Sequence, residues 1–534
     1  SAQEGTKLSA ELVETKEGLQ EQMRRLTVLN EEIPDHAGIE RKRPLWDAEA
    51  RYEELTARVT ELFAAADAAF RMAIGAVPEH FDGRSGLCAL HLARYMSAEA
   101  MRDKERMLLS RRVIVNHDPG GWTKKLEPRG RLSITTMRYD CSCLEPVEAE
   151  AWNPKFSDDC PVAWEDGRPE HGMPPAEDHF PVPRLELGRG QRWGHRDDCS
   201  QHPIEARVRL YRYRPKDRRL IPRFVRELPP TPFAEIELEG GSYLLRVEAK
   251  GFAAMRVPVR IDRDGHWQQT LRLYPEGIAP QRFDLVAGGP FLHGIRGDGR
   301  VWRNEVQTRD FFIARYLVTV EEYIVFLNDL PIEEARARQP REGDLRYLKE
   351  EDDRFRVRRS EEDRKIRLTA RCPIIAVSWE DARRYSEWIS KREGRLLRLI
   401  HTYEYEKAGR GVDARLYPWG DKYDGTYSNT GSSYYDRPAP SPVGAFAVDE
   451  SPYGAVDMAG NACSWCLNQG AGSLREHYYH IRGGAWNQSP EFAQVPERGG
   501  ALRTRVSQNL GFRLCMPCVS YRAAEASSFP TPGT

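Results

Sequence analysis

From Leu8 to about Arg112 apolar residues recur at three- and four-residue spacing, in ELVETKEGLQEQMRRLTVLNEEI and, after Pro44, in WDAEARYEELTARVTELFAAADAAFRMAIGAV. That period predicts amphipathic helices. Pro78 breaks the pattern, and LCALHLARYMSAEAMRDKERMLLSRRVIV resumes it. Near Gly130 the period falls to two. RLSITTMRY, EARVRLYRYR, AEIELEGGSYLLRVEAKGF, MRVPVRI and WQQTLRLY read as short strands separated by Gly, Pro and Asp, enough for a small antiparallel β-sandwich. A polar insertion, residues 141–203, interrupts it. The expected fold class is therefore multidomain α+β: a helical region (1–125), the sandwich with its insertion (126–276), a C-terminal domain (277–520) and a tail (521–534).

At 534 residues the chain is too long for one ordinary core. Lys+Arg 80 against Asp+Glu 81 leaves a net charge of -1, so no global field draws it to nucleic acid or to anionic membranes. No apolar run is long enough to cross a bilayer, and the first twenty residues lack a secretory pattern, although a segment upstream could have been removed. A soluble, cytoplasmic protein with reduced thiols is expected, because ten cysteines are too sparse for a disulfide scaffold.

The insertion holds Cys141, Cys143, Cys160, Cys199, His171, His179, His195 and His202. Cys141, Cys143, Cys160 and Cys199 are candidate zinc ligands, yet the spacing is irregular, and a flexible contact or protease-sensitive loop is the preferred reading. His195-Arg196-Asp197 imitates a kinase triplet without the other kinase motifs. Cys463-Ser-Trp-Cys466 and Cys515-Met-Pro-Cys518 are two CxxC pairs, read either as a shared zinc site or as buried free thiols on strands. Ser378 is placed to cap a helix whose Ala382, Tyr385, Trp388 and Ile389 line one face. Tyr417 to Asp421 makes a rigid turn between aromatics, Trp465 and Trp486 anchor a loop-rich core, Gly483-Gly484 allows close backbone approach, and Arg513 is read as a structural ion-pair partner.

Three resemblances add to this. Ala65, Phe70, Ala73, Ile74 and Pro78 resemble one tetratricopeptide unit, without a second copy at the expected period, and GSYLLRVEAKGFAAMRVPVRI resembles the PEGA-type modules beside bacterial signalling domains. The third covers some 230 residues. FDLVAGGPFLHG, FFIARYLVTVEEYIVFLNDL, PIIAVSWEDARRYSEWISKREGRLLRL, YEKAGRG, LYPWGDKYDGTYSNT, SPVGAFAVDESPYGAVDMAGNACSW, IRGGAWN and NLGFRL follow one another as in the formylglycine-generating enzyme, or sulfatase-modifying factor, family. The resemblance implies a variant of the C-type lectin fold. The whole arrangement resembles the C-terminal halves of certain bacterial serine/threonine kinases, with the kinase domain absent.

In the enzymes of that family one cysteine follows the GGSW or GGSY aromatic by two positions and another lies five further on, and the pair binds copper(I). Those positions are Gln488 and Ala493 here, so no copper is expected. The HxxxHxE iron set of the family's sulfoxide synthases is missing too, and His91 stands alone. By the same resemblance Asn429 and Asp436 are candidate ligands for one structural calcium, while Ser464 stands where a second site needs glutamate.

The preferred function is a noncatalytic sensing, recognition or adaptor protein that takes a protein partner or small ligand at the C-terminal domain. Candidate contacts are Tyr434, Tyr435, Tyr478, Tyr479, Trp486, Asn487, Gln488, Glu491, Arg498, Arg503 and Asn509, polar and aromatic residues in expected loops. The alternatives are a regulatory partner or proteolytically released component of a kinase- or protease-linked cascade, and an enzyme with divergent oxidoreductase chemistry. Partners in nucleic acid or membrane are not expected.

Overall fold

The computed structural model describes residues 1–33, 38–100, 103–148, 152–156, 185–187, 193–196, 198–294, 296–297, 300–301, 304–341, 347–358, 368–434, 438–470 and 478–518. These form two compact units, 1–129 and 130–518.

The first unit is helical: α1 (Ala2–Glu32), α2 (Ile39–Ala76), α3 (Phe81–Ala100) and α4 (Lys104–His117). Leu12, Leu62, Ala66, Phe70, Leu87 and Leu90 make its core, so each of the first three helices contributes one apolar stripe. Gly5 and Gly86 lie on opposite helices against the Phe70 ring, where a Cβ has no room. α2 begins at Ile39, ahead of Pro44, which sits in the second turn of the helix. Of the five tetratricopeptide-like positions, Phe70 and Ala73 are buried. His91 is buried too, with Nε2 2.8 Å from Asp67, which fits a structural part.

In the second unit, one four-stranded sheet is antiparallel throughout, in the order Arg219–Leu228, Arg207–Lys216, Gly241–Glu248, Met255–Ile261. The second sheet corrects the expectation of purely antiparallel pairing. Arg129–Tyr139 runs parallel to His266–Leu273, with Arg131 opposite His266, and antiparallel to Gln201–Pro203. No hairpin joins the parallel pair, so nothing local imposes the antiparallel direction. Alternate residues of both sheets, such as Leu132, Ile134, Val208, Leu210, Leu245 and Val247, enter one apolar cluster that continues into the C-terminal domain.

That domain carries two further four-stranded sheets. One has the order Phe283–Val286, Phe311–Ala314, Leu514–Pro517, Arg398–Leu399; the other, Gly499–Leu502, Tyr478–Arg482, Cys463–Gln469, Leu510–Phe512. Helices Val320–Asp329, Trp379–Glu393 and Thr402–Arg410 each start with a capping box, at Thr319, Ser378 and His401. Ala382 and Tyr385 are buried as expected, and Trp388 and Ile389 lie half-buried beside them. Arg513 corrects its reading as an ion-pair partner: the buried guanidinium donates to the carbonyls of Ala314, Arg315, Val456 and Asp457.

Several described residues of the insertion are packed, which corrects the preferred flexible-loop reading at Trp152, Phe156 and Trp193. Trp152 is fully buried and donates Nε1–H to Arg395 O (3.2 Å), and Lys155–Phe156 pairs with Leu185–Glu186. Phe156 N–H donates to Glu387, and Trp193 donates Nε1–H to Pro517 O (3.0 Å). Trp152 and Trp193 meet with centroids 5.7 Å apart. Large aromatic anchors distributed far apart in sequence hold a polar segment on the core. Cys160, His171, His179, Asp197 and the tail 521–534 lie outside the described residues.

Candidate functional site

Strand Tyr478–Arg482 ends at the Arg482-Gly483-Gly484-Ala485-Trp486 stretch. Arg482 is fully buried. It donates to Thr402 Oγ1 (2.7 Å), to the carbonyls of Val495 and Glu497, and to Glu406 Oε2 (2.9 Å). Glu406 also takes Arg410 (2.8 Å) and the Gly294 N–H (2.7 Å) on Oε1. Two opposing guanidinium groups hold the Glu406 carboxyl down at about 2 against the cost of burial, while burial lowers neighbouring His293 to about 4. This network anchors the strand end and with it the turn that follows.

Gly483 and Gly484 both have positive φ, +95° and +63°. A Cβ on Gly484 would stand 2.7 Å from Ala493 Cα, so the turn and the Pro490–Ala493 segment touch backbone to backbone. Ala493 is fully buried in an apolar cluster with Tyr417, Trp419 and Ala459. Tyr417 stacks on Trp419 (5.0 Å, 8°), as the aromatic turn predicts. Gln488 is half-buried and its Oε1 accepts a hydrogen bond from Cys463 Sγ at 3.2 Å. Burial pushes that thiol up to about 12, so it stays neutral. An amide, a methyl group and a protonated thiol do not fit a copper(I) ion that needs two thiolates.

The CxxC cysteines are buried free thiols: Cys463 and Cys466 on one strand, Cys515 and Cys518 at the last one. Among the described residues, the group of metal-type ligands that comes together is Cys141, Cys143, His195 and Cys199. Three of the four insertion thiols named from the sequence are thus united, and His195 joins them. For calcium, Asn429 Oδ1 is buried without a hydrogen-bond partner, whereas its Nδ2 donates to Ala439 O, Ser441 Oγ and Asn461 Oδ1. Asp436 lies outside the described residues.

Of the candidate contacts, Tyr434, Tyr478, Asn487, Glu491, Arg498 and Arg503 are exposed, and Gln488 and Asn509 are half-buried. Tyr479 and Trp486 belong to the core instead. Tyr479 stacks on Trp379 at 3.9 Å, and Trp486 donates Nε1–H to Gln508 O. Tyr435 is outside the described residues. The Gly431 N–H donates to Gln488 O (2.8 Å), which joins the loop bearing Tyr434 to the one bearing Asn487 and Glu491. Tyr478 sits opposite exposed Leu502, next to Arg503. The sequence did not mark Glu406 or the structural use of Arg482; two more charged residues in a helix and a strand carry no signal until their burial is seen.

Residues 278–517 match the family described as the sulfatase-modifying factor enzyme 1-like domain. The C-terminal domain is of this type. The chain is 31% identical over 162 residues to the "Inactive C-alpha-formylglycine-generating enzyme 2" of Bos taurus, covering 28% of this chain and 51% of that protein. It is 36% identical over 110 residues to the "Formylglycine-generating enzyme" of Thermomonospora curvata, 18% of this chain and 33% of that one. It is also 27% identical over 248 residues to "Serine/threonine-protein kinase pkn1" of Chlamydia caviae, 43% of this chain and 37% of the kinase. The chain therefore spans at most about half the length of these relatives. The sulfatase-modifying factor-like domain thus has similarity both to a protein named as a formylglycine-generating enzyme and to one named as inactive. No described helix is long and apolar enough to cross a membrane.

Proposed function

We propose that this protein acts by binding rather than by turnover, with the sulfatase-modifying factor-like domain as a recognition module. The observation that carries the reading is the state of the two thiol positions. Ala493 is sealed among Tyr417, Trp419 and Ala459, and Gln488 accepts from a neutral, buried Cys463, so neither position supplies a thiolate. A domain that keeps its fold without this chemistry retains its loops for contact. The contact surface assigned is the joined pair of loops bearing Tyr434, Asn487, Gln488 and Glu491, which offers one exposed aromatic side chain together with polar ones. Its occupant is a protein partner or a small ligand. Similarity to a part of pkn1 supports a second reading of the same module, as a regulatory component of a kinase- or protease-linked cascade.

The test pairs two measurements on the full chain. Reconstitution with copper(I) and a cysteine-containing peptide under oxygen is expected to yield no aldehyde product. Partner capture compared between the parent and Tyr434→Ala is expected to lose specific partners in the variant. Aldehyde formation would sink the reading outright, and identical capture by both proteins would remove the assigned surface.

A further inference from the structure

We propose that Cys141, Cys143, His195 and Cys199 bind one zinc ion, which staples the two ends of the insertion together on the last strand of the C-terminal domain. The four donor atoms lie within 4.8 Å of one another. Cys143 Sγ is 3.6 Å from Cys199 Sγ, and Cys141 Sγ is 3.1 Å from His195 Nδ1. Tetrahedral zinc, with bonds of about 2.3 Å to sulfur and about 2.0 Å to nitrogen, sets its ligand atoms roughly 3.5 to 3.8 Å apart. The cluster already approximates those edges. Three thiolates with one imidazole form a closed structural set, with no position left for substrate.

The surroundings are built for the same purpose. The His195 ring stacks on Tyr139 (3.6 Å, 14°), which fixes its plane and keeps Nδ1 aimed at the thiols. The Arg196 N–H donates to Cys199 Sγ at 3.3 Å, a hydrogen bond that favours a thiolate. Arg272 lies over the Tyr139 ring and offsets the negative charge that three thiolates bring to one dication. Backbone bonds close the same mouth: Gly194 N–H to Cys143 O (3.2 Å) and Asp140 N–H to Ser200 O (3.0 Å). His195 N–H to Cys518 O (2.9 Å) and Trp193 Nε1–H to Pro517 O tie it to the final strand. The ligands come as a C-x-C pair and an H-x3-C pair some fifty residues apart, which is why spacing alone did not reveal them. Cys160, the other thiol of the insertion, is not needed for four-coordination.

The experiment is metal analysis of the full chain purified without added metal, followed by replacement of the bound ion with cobalt(II). One zinc per chain is expected, and the cobalt form should show the intense visible bands of tetrahedral coordination with thiolate charge transfer in the near ultraviolet. Cys199→Ser and Cys143→Ser should each lose the zinc, whereas Cys372→Ser, at a buried cysteine outside the cluster, should keep it. Removing the ion with a chelator should expose three further thiols and open the insertion to limited proteolysis. Zinc content that survives Cys199→Ser would overturn the proposal. So would a denatured thiol count two short of the ten cysteines without metal, since that is the signature of a Cys143–Cys199 disulfide.

Discussion

Glu406 offers the sharpest test of how this domain holds its site. Its two oxygens accept only from donors: Gly294 N–H and Arg410 on one, Arg482 on the other, with His293 Nε2 at 3.3 Å. Glu406→Gln is therefore not conservative, because an amide NH2 must face one of these donors whichever way it is turned. A carboxyl held at about 2 instead of its ordinary 4.5 corresponds to ~3 kcal/mol of stability. Glu406→Ala, which leaves Arg410 and Arg482 buried without their carboxylate, is expected to cost roughly 3 to 5 kcal/mol. Either loss is a large part of the ~5 to 15 kcal/mol that holds an ordinary domain. The assay is urea unfolding of the full chain, following the transition of the β-rich unit by tryptophan fluorescence. The pH dependence gives a second handle with a definite sign. A depressed carboxyl stabilises fully above its open-chain value of 4.5 and loses that contribution as pH falls towards 2, so the parent should lose stability across that window and Glu406→Gln should not show this part of the loss. His293, kept neutral by burial, adds a loss between about 6.5 and 4 in both proteins. Variants that unfold within about 1 kcal/mol of the parent, with unchanged acid profiles, would show that the two arginines are satisfied without Glu406 and would refute the reasoning.

Trp152→Ala should destabilise the β-rich unit by about 3 to 5 kcal/mol, since it empties a fully buried indole site and strands the Arg395 carbonyl; thermal unfolding of the full chain measures it. In the helical unit, Gly86→Ala drives a methyl into the Phe70 ring, and overpacking of about 1 to 3 kcal/mol should exceed the ~1 kcal/mol that alanine gains in helix propensity, lowering the helical transition in circular dichroism. Tyr434→Ala, at an exposed ring, should leave the unfolding midpoint within about 0.5 kcal/mol of the parent while partner capture falls.

Much of the local structure was written in residue order alone. The spacing of apolar positions marked the helices and strands, Ser378 marked a helix start, and the Gly483-Gly484 pair marked a close backbone approach, because each depends on neighbours a few residues away. The ordered motifs of the C-terminal domain were equally legible, since position within a motif is a property of sequence. What the tertiary structure decided depends on residues far apart. The parallel pairing of Arg129–Tyr139 with His266–Leu273, the burial of Tyr479 and Trp486, and the seating of Trp152 and Trp193 on the C-terminal domain follow from which surfaces meet. Arg513 takes carbonyls rather than a carboxylate for the same reason. The cysteine cluster shows the division most plainly: the sequence supplied the ligand types, but only the folded chain brings Cys141 and Cys143 to His195 and Cys199, because a donor set is defined by distances in space and the intervening residues place no limit on its spacing.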